Sequence, residues 1–150
     1  MTGFPSPRPH AHFRWAVLAG PLTAALGLIF SIQPVGGQVV LNNTNNSDDI
    51  GGSQTVTVTG GTNTLSGTNT YTGTTTIEVG TLNLYGGSAI GDTSAVVLGT
   101  INDLGDVTLN LNNTDETIGS LAYEGDLSSN TYLVSLGSGN LTFGGNNSDT

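Results

Sequence analysis

The sequence predicts an all-β chain built as a stack of short, repeating turns. Three observations carry this: brief segments that alternate apolar and polar residues, glycine-rich punctuation between them, and similarity of the chain to itself at long range. Thr76-Ile77-Glu78-Val79 and Thr81-Leu82-Asn83-Leu84 flank Gly80. Each is too short and too rich in threonine for a helix, while β-branched residues suit a pleated strand. Displacing the chain by 78 residues sets Gly61 on Gly139, Thr64 on Thr142, Gly67 on Gly145, Asn69 on Asn147 and Thr72 on Thr150.

Residues 1–37 read as an export signal. Arg8, His10, His12 and Arg14 precede a nearly uninterrupted apolar run over 15–32, and a small-residue exit follows at Val35-Gly36-Gly37. Regions in that order describe a secretory signal peptide, which contacts the membrane during export and is cleaved after Gly37. An uncleaved anchor is the competing reading, since a run of 18 residues reaches the shortest length that spans a bilayer.

Residues 38–54 read as a polar lead. Asn42-Asn43-Thr44-Asn45-Asn46-Ser47-Asp48-Asp49 favours turns, because Asn and Asp side chains compete for backbone hydrogen bonds. The array then occupies 55–150 and is expected to be an incomplete piece, truncated at its C-terminus. Its first strand, 55–59, places Val56 and Val58 on one face and threonines on the other. Further strands are expected at 63–66, 76–79, 81–84, 95–98, 107–111, 117–121, 131–136 and 140–143, separated by Gly, Asn, Asp and Ser.

The stretch 69–91 carries a resemblance. Asn69-Thr70-Tyr71-Thr72-Gly73, then Ile77, then Gly80-Thr81-Leu82-Asn83-Leu84 and Gly86-Gly87-Ser88-Ala89-Ile90-Gly91, resembles the autotransporter-associated β-strand repeat of bacterial surface-protein passengers. The resemblance implies a right-handed, single-stranded parallel β-helix of pectin-lyase-like architecture, exported to the cell surface, outer membrane or medium. It also implies partners: further repeats of the same protein and a C-terminal membrane β-barrel, neither of which this sequence contains. In such a helix three strands and their corners use on the order of twenty residues, so the offset of 78 residues corresponds to about four turns. Stacked turns bury together what one turn cannot, and asparagine ladders between turns are expected.

Charge narrows the chemistry. The chain has no lysine or cysteine, and residues 38–150 hold all 11 acidic side chains with neither arginine. Such a surface cannot neutralise phosphates, which excludes nucleic acid as a partner. Lacking His and Cys beyond position 12, it offers no histidine-based nucleophile and no zinc ligand set. Paired carboxylates remain for glycoside hydrolysis, with Asp103 and Asp106 or Asp115 and Glu116 as candidates. Adjacent residues of a strand face opposite ways, and both pairs sit among Asn and Gly, where solvated loop carboxylates are the ordinary explanation. Calcium is the one cofactor the oxygen-rich composition admits, but the G-G-x-G-x-D pattern of calcium β-rolls is missing. No cofactor is therefore expected.

The reading that results is a non-enzymatic display or spacer segment at the cell surface. An adhesin that binds surface glycans through exposed Thr, Asn and Tyr, with Tyr71 and Tyr85 as stacking residues, is the alternative, although a corner or core place is the ordinary one for either tyrosine, and an extracellular glycosidase is a more distant one.

Overall fold

The structure is a computed structural model that describes residues 36–102, 104–125 and 129–144. The chain divides into two units, Met1–Ser31 and Ile32–Thr150, and every described residue belongs to the second. The signal readings on 1–35, Asp103 and the last residues, 145–150, lie outside the described residues.

Twelve short strands and no helix make up the described chain: β1 Gln38–Asn42, β2 Asn45–Asn46, β3 Thr55–Gly60, β4 Thr62–Leu65, β5 Thr75–Ile77, β6 Gly80–Leu84, β7 Ala95–Leu98, β8 Val107–Asn110, β9 Glu116–Ile118, β10 Ser120–Tyr123, β11 Tyr132–Ser135 and β12 Leu141–Phe143. They wind into a parallel β-solenoid of five turns. One side is the sheet β1-β3-β5-β7-β10, the second is β2-β4-β6-β8-β11, and β9 with β12 forms the third. Where the third side lacks a formal strand, backbone bonds still stack it: the Thr70 N–H donates to the Ile50 carbonyl at 2.8 Å and the Asn69 N–H to the Ser88 carbonyl at 2.9 Å.

The period-two alternation decides which side chains enter the core. Val39, Val56, Thr75, Val96 and Leu121 lie one above another, as do Leu41, Val58, Ile77, Leu98 and Tyr123. On the second side Asn63, Leu82, Leu109 and Val134 form a column. Outward residues in the same strands make polar columns: Thr62, Thr81 and Thr108, beside Thr64, Asn83 and Asn110. The Asn110 amide donates to Asn83 Oδ1 at 2.8 Å, so an asparagine ladder forms on the outer face.

Three expectations are corrected here. The array begins at Gln38 and not at Thr55: β1 and β2 belong to the first turn, and Val39, Leu41 and Ile50 are buried. The Asn- and Asp-rich run is corner chemistry and not a free lead, since Asn43 takes a left-handed φ of 50° and its Oδ1 accepts the Thr62 N–H at 3.2 Å. The segment 117–121 is not one strand but the corner between β9 and β10, where the buried Gly119 donates its N–H to the Ser94 carbonyl at 2.9 Å.

The turn length also changes. Asn43 caps a residue 19 positions on, Asn83 is joined by Asn110 across 27, and Asn113 caps Ser138 across 25. The added residues lie largely in the connections β7–β8 (99–106) and β10–β11 (124–131), where earlier turns use one or two residues. The 78-residue offset is consequently not a count of four turns. Thr64 stacks through Asn83 and Asn110 onto Ser135, so three turns separate Thr64 from Ser135 and the sequence match at Thr142 falls on the next side of the solenoid.

Candidate functional site

The repeat motif is a framework. Ile77, Leu82 and Leu84 are fully buried, Gly73 and Gly80 sit at corners, and Asn69 is a clamp between turns. The Asn69 Oδ1 accepts the Ile50 N–H of the preceding turn at 2.7 Å, and its amide donates to the Ala89 carbonyl of the following turn at 2.6 Å. Asn63 acts similarly, accepting the Thr44 N–H at 3.0 Å and donating to the Gly60 carbonyl at 2.8 Å. For Asn69 the groups satisfied are the buried backbone N–H of Ile50 and carbonyl of Ala89, which no strand pairs.

Tyr71 is fully buried, as a core tyrosine is, and is not the glycan contact of the alternative reading. Its hydroxyl lies 2.6 Å from Thr75 Oγ1, which in turn lies 3.1 Å from Ser94 Oγ, and Ser94 donates to the Gly73 carbonyl at 2.7 Å. Burial, the largest cause, holds the phenol above its ordinary range. This hydroxyl chain explains how a threonine occupies the column between Val56 and Val96. Tyr85, by contrast, is 46 % exposed just beyond β6.

The candidate carboxylates do not converge. Asp106 is exposed, and its Oδ1 accepts the Thr131 N–H at 2.7 Å. Asp115 points outward and accepts from both the Asn140 N–H, at 2.8 Å, and the Asn140 amide, at 2.9 Å. Glu116 points the other way and is only 2 % exposed, so its reading as a solvated loop carboxylate is corrected. Its two oxygens accept the backbone N–H groups of Ile90, at 2.9 Å, and Ala89, at 3.2 Å. Burial raises its pKa above the ordinary carboxylate value, the two N–H bonds oppose that shift, and nearby Asp92 adds to it. The signal for Glu116 was present in the sequence, because Glu116 and Ile118 are spaced two apart like Leu82 and Leu84. Among the described residues no group of three acidic or His side chains is placed to hold a metal ion.

The surface that breaks the pattern is the end of the solenoid after the fifth turn. Tyr123 stacks beneath Leu98, Tyr132 beneath Val107, Val134 beneath Leu109, Leu141 beneath Glu116 and Phe143 beneath Ile118, so all five take inward positions. Yet Tyr123 is 56 % and Phe143 54 % exposed, while Leu121, Tyr132, Val134 and Leu141 are half-buried. An open cavity of about 330 Å³ lies here, lined by Leu98, Leu121, Ala122, Tyr123 and Tyr132. The Tyr123 and Tyr132 rings are tilted at 49° with centroids 6.1 Å apart, within the range over which aromatic rings interact. Gly99 and Gly125 leave room for Tyr132, whose ring a Cβ at either position would strike. Sequence reasoning missed this site, because an aromatic at the end of an array reads like one in its middle.

No family model, no curated protein and no solved structure matches the chain.

Proposed function

We propose that the chain is an exported, non-catalytic display or spacer module of the passenger type. The observation that carries this reading is the division of labour in the five-turn solenoid. Inward positions are given to aliphatic columns and backbone clamps, and outward positions to Thr, Asn and Gly. The resemblance of residues 69–91 to passenger repeats and the signal-like residues 1–37 support export. The cysteine-free sequence gives a direct test. A Thr62→Cys variant of the full chain, at an exposed outward position of β4, expressed in a diderm bacterium, is expected to react with a membrane-impermeant maleimide on intact cells. Labelling only after lysis would end the proposal.

A second reading, glycan binding, rests on Tyr85, which is exposed beside uncharged columns of Thr and Asn. Binding to a glycan array that Tyr85→Ala removes would favour it; arrays that show no binding would leave the spacer reading alone.

A further inference from the structure

We propose that the outer face of the sheet β2-β4-β6-β8-β11 binds a neutral, extended, β-1,4-linked polysaccharide laid along the solenoid axis, one sugar ring to each turn. The inference rests on the glycan-binding reading above and gives its ligand a chemical class.

The site belongs to the middle of the molecule. β4, β6 and β8 are each paired on both sides, so their outward side chains owe nothing to where the array begins or stops. Thr62, Thr81 and Thr108 stand in one column, and Thr64, Asn83 and Asn110 in the next. Neighbouring strands lie about 4.8 Å apart. That step is close to the advance of one pyranose ring in a β-1,4-linked ribbon, so successive rings meet successive turns in the same way. A coiled or branched glycan cannot keep this register.

The two kinds of polar side chain play different parts. The amides are already engaged: Asn110 donates to Asn83 Oδ1 at 2.8 Å, Asn83 donates to the Asn63 carbonyl at 3.2 Å, and Asn110 Oδ1 accepts the Asn112 N–H at 3.0 Å. They stiffen the floor. The hydroxyls of Thr62, Thr64, Thr81 and Thr108 have no hydrogen-bond partner among the described residues, whereas those of Thr44, Ser66 and Thr114 bond to backbone carbonyls. A free hydroxyl both donates and accepts, which suits the hydroxyls along a sugar. Tyr85 continues the outward positions of β6 two residues beyond Asn83, and the small Ser66 takes the same place in the turn before. Its ring is 46 % exposed and supplies a stacking surface at the edge of the columns.

Charge sets the class of ligand. β2, β4, β6, β8 and β11 contain no acidic or basic residue. Carboxylates stand on both margins instead: Glu78 and Asp106 precede β6 and β8, and Asp49 and Asp115 follow β2 and β8. With no lysine or arginine in residues 38–150, an anionic polymer meets repulsion from either side and no compensating attraction. A neutral chain meets neither, so its binding should be indifferent to salt.

Affinity electrophoresis of the full 150-residue chain in gels holding hydroxyethylcellulose, carboxymethylcellulose or dextran tests each part. The first two share a backbone and differ in charge, while dextran is neutral but flexible. Retardation by hydroxyethylcellulose alone is expected. Calorimetric titration with cello-oligosaccharides should give an affinity at least about tenfold higher for the hexaose than for the disaccharide, which reaches only two turns, and the same values at low and high salt. Tyr85→Ala should weaken binding at least about tenfold, as loss of an aromatic anchor does. Thr81→Val keeps the β-branched shape and should cost about fivefold through one lost hydrogen bond, whereas Thr70→Val, on the third side, should change nothing. A retained β-type circular dichroism spectrum shows that each variant is folded. Equal retardation by carboxymethylcellulose or dextran, an affinity independent of length, or equal loss in the Thr70 and Thr81 variants would overturn the inference. If hydroxyethylcellulose does not bind while a glycan array shows binding that Tyr85→Ala removes, the ligand class falls and the glycan-binding reading stands; if both are blank, both fall.

Discussion

Glu116 holds the backbone of Ile90 from one turn away: its Oε1 accepts the Ile90 N–H at 2.9 Å across 26 residues of sequence. The carboxylate takes the place of a strand on the side of the third turn where none forms, and Oε2 serves Ala89 in the same way. Removing it with Glu116→Ala would leave two buried N–H groups unpaired, at a cost of about 2–5 kcal/mol. Glu116→Gln keeps one acceptor and sheds the buried charge, so its stability near neutral pH should stay within about 1 kcal/mol of the parent. Urea denaturation followed by circular dichroism separates the two.

The same residue makes stability depend on pH in an uncommon direction. Its native pKa is raised, chiefly by burial, so the folded state holds the proton more tightly than the unfolded chain. The stabilisation is full below the ordinary carboxylate pKa and is lost as pH rises through the raised native value. Thermal melts between about pH 4 and pH 7 should therefore show a midpoint that falls as pH rises. Glu116→Gln should flatten that slope, and an unchanged slope in this variant would remove Glu116 from the explanation.

Asn69 is expected to tolerate no acidic replacement. Asn69→Asp keeps the acceptor for the Ile50 N–H but turns an oxygen toward the Ala89 carbonyl, where an N–H now donates at 2.6 Å. A loss of about 2–4 kcal/mol near neutral pH is expected, with partial recovery on acidification as the new carboxyl gains a proton to donate. Paired denaturation curves at the two pH values check both parts.

Tyr71 tests the hydroxyl chain against the packing around it. Tyr71→Phe removes the partner of Thr75 but keeps the ring, for a loss of about 1 kcal/mol. Tyr71→Ala empties a fully buried site and should cost about 3–5 kcal/mol. If the two variants were equally destabilised, the hydroxyl and not the ring would be the dominant contribution.

Gly91 should resist even the smallest side chain. A Cβ at this position would collide with the Tyr71 carbonyl of the turn above, which backbone cannot relieve by a rotamer change. Gly91→Ala is expected to lower stability by more than about 2 kcal/mol, whereas Gly52→Ala, which meets no neighbour but has a φ of 72°, should cost about 1 kcal/mol. Thermal melts rank them.

Core positions were legible in the sequence wherever alternation was clean. Ile77, Leu82, Leu84, Val107 and Leu109 are buried as a two-residue period requires. The first turn was not legible, because the side chains that cap a neighbouring turn are the same Asn and Asp that fill a solvated linker. What distinguishes them is an N–H 19 residues away, such as Thr62 for Asn43 or Thr68 for Asp49. The inward face of Glu116 was hidden by its neighbour: Asp115 and Glu116 look like one acidic pair, although the strand sends them to opposite sides. The open end escaped notice for another reason, since exposure of Tyr123 and Phe143 depends on what lies beneath them and not on their own flanking residues.

The capping bonds also have a direction. Exposed corner side chains reach forward, with Asn43, Asp49, Asp106, Asn113 and Asp115 each accepting an N–H from the turn that follows. Buried side chains reach back, with Asn63, Asn69 and Glu116 each accepting from the turn before. A finished turn thus displays acceptors that seat its successor, and the successor closes the joint with an interior latch. Synthesis or secretion that delivers the N-terminus first supplies turns in the order this scheme requires, so the chain can serve as its own template, winding onto itself one turn at a time.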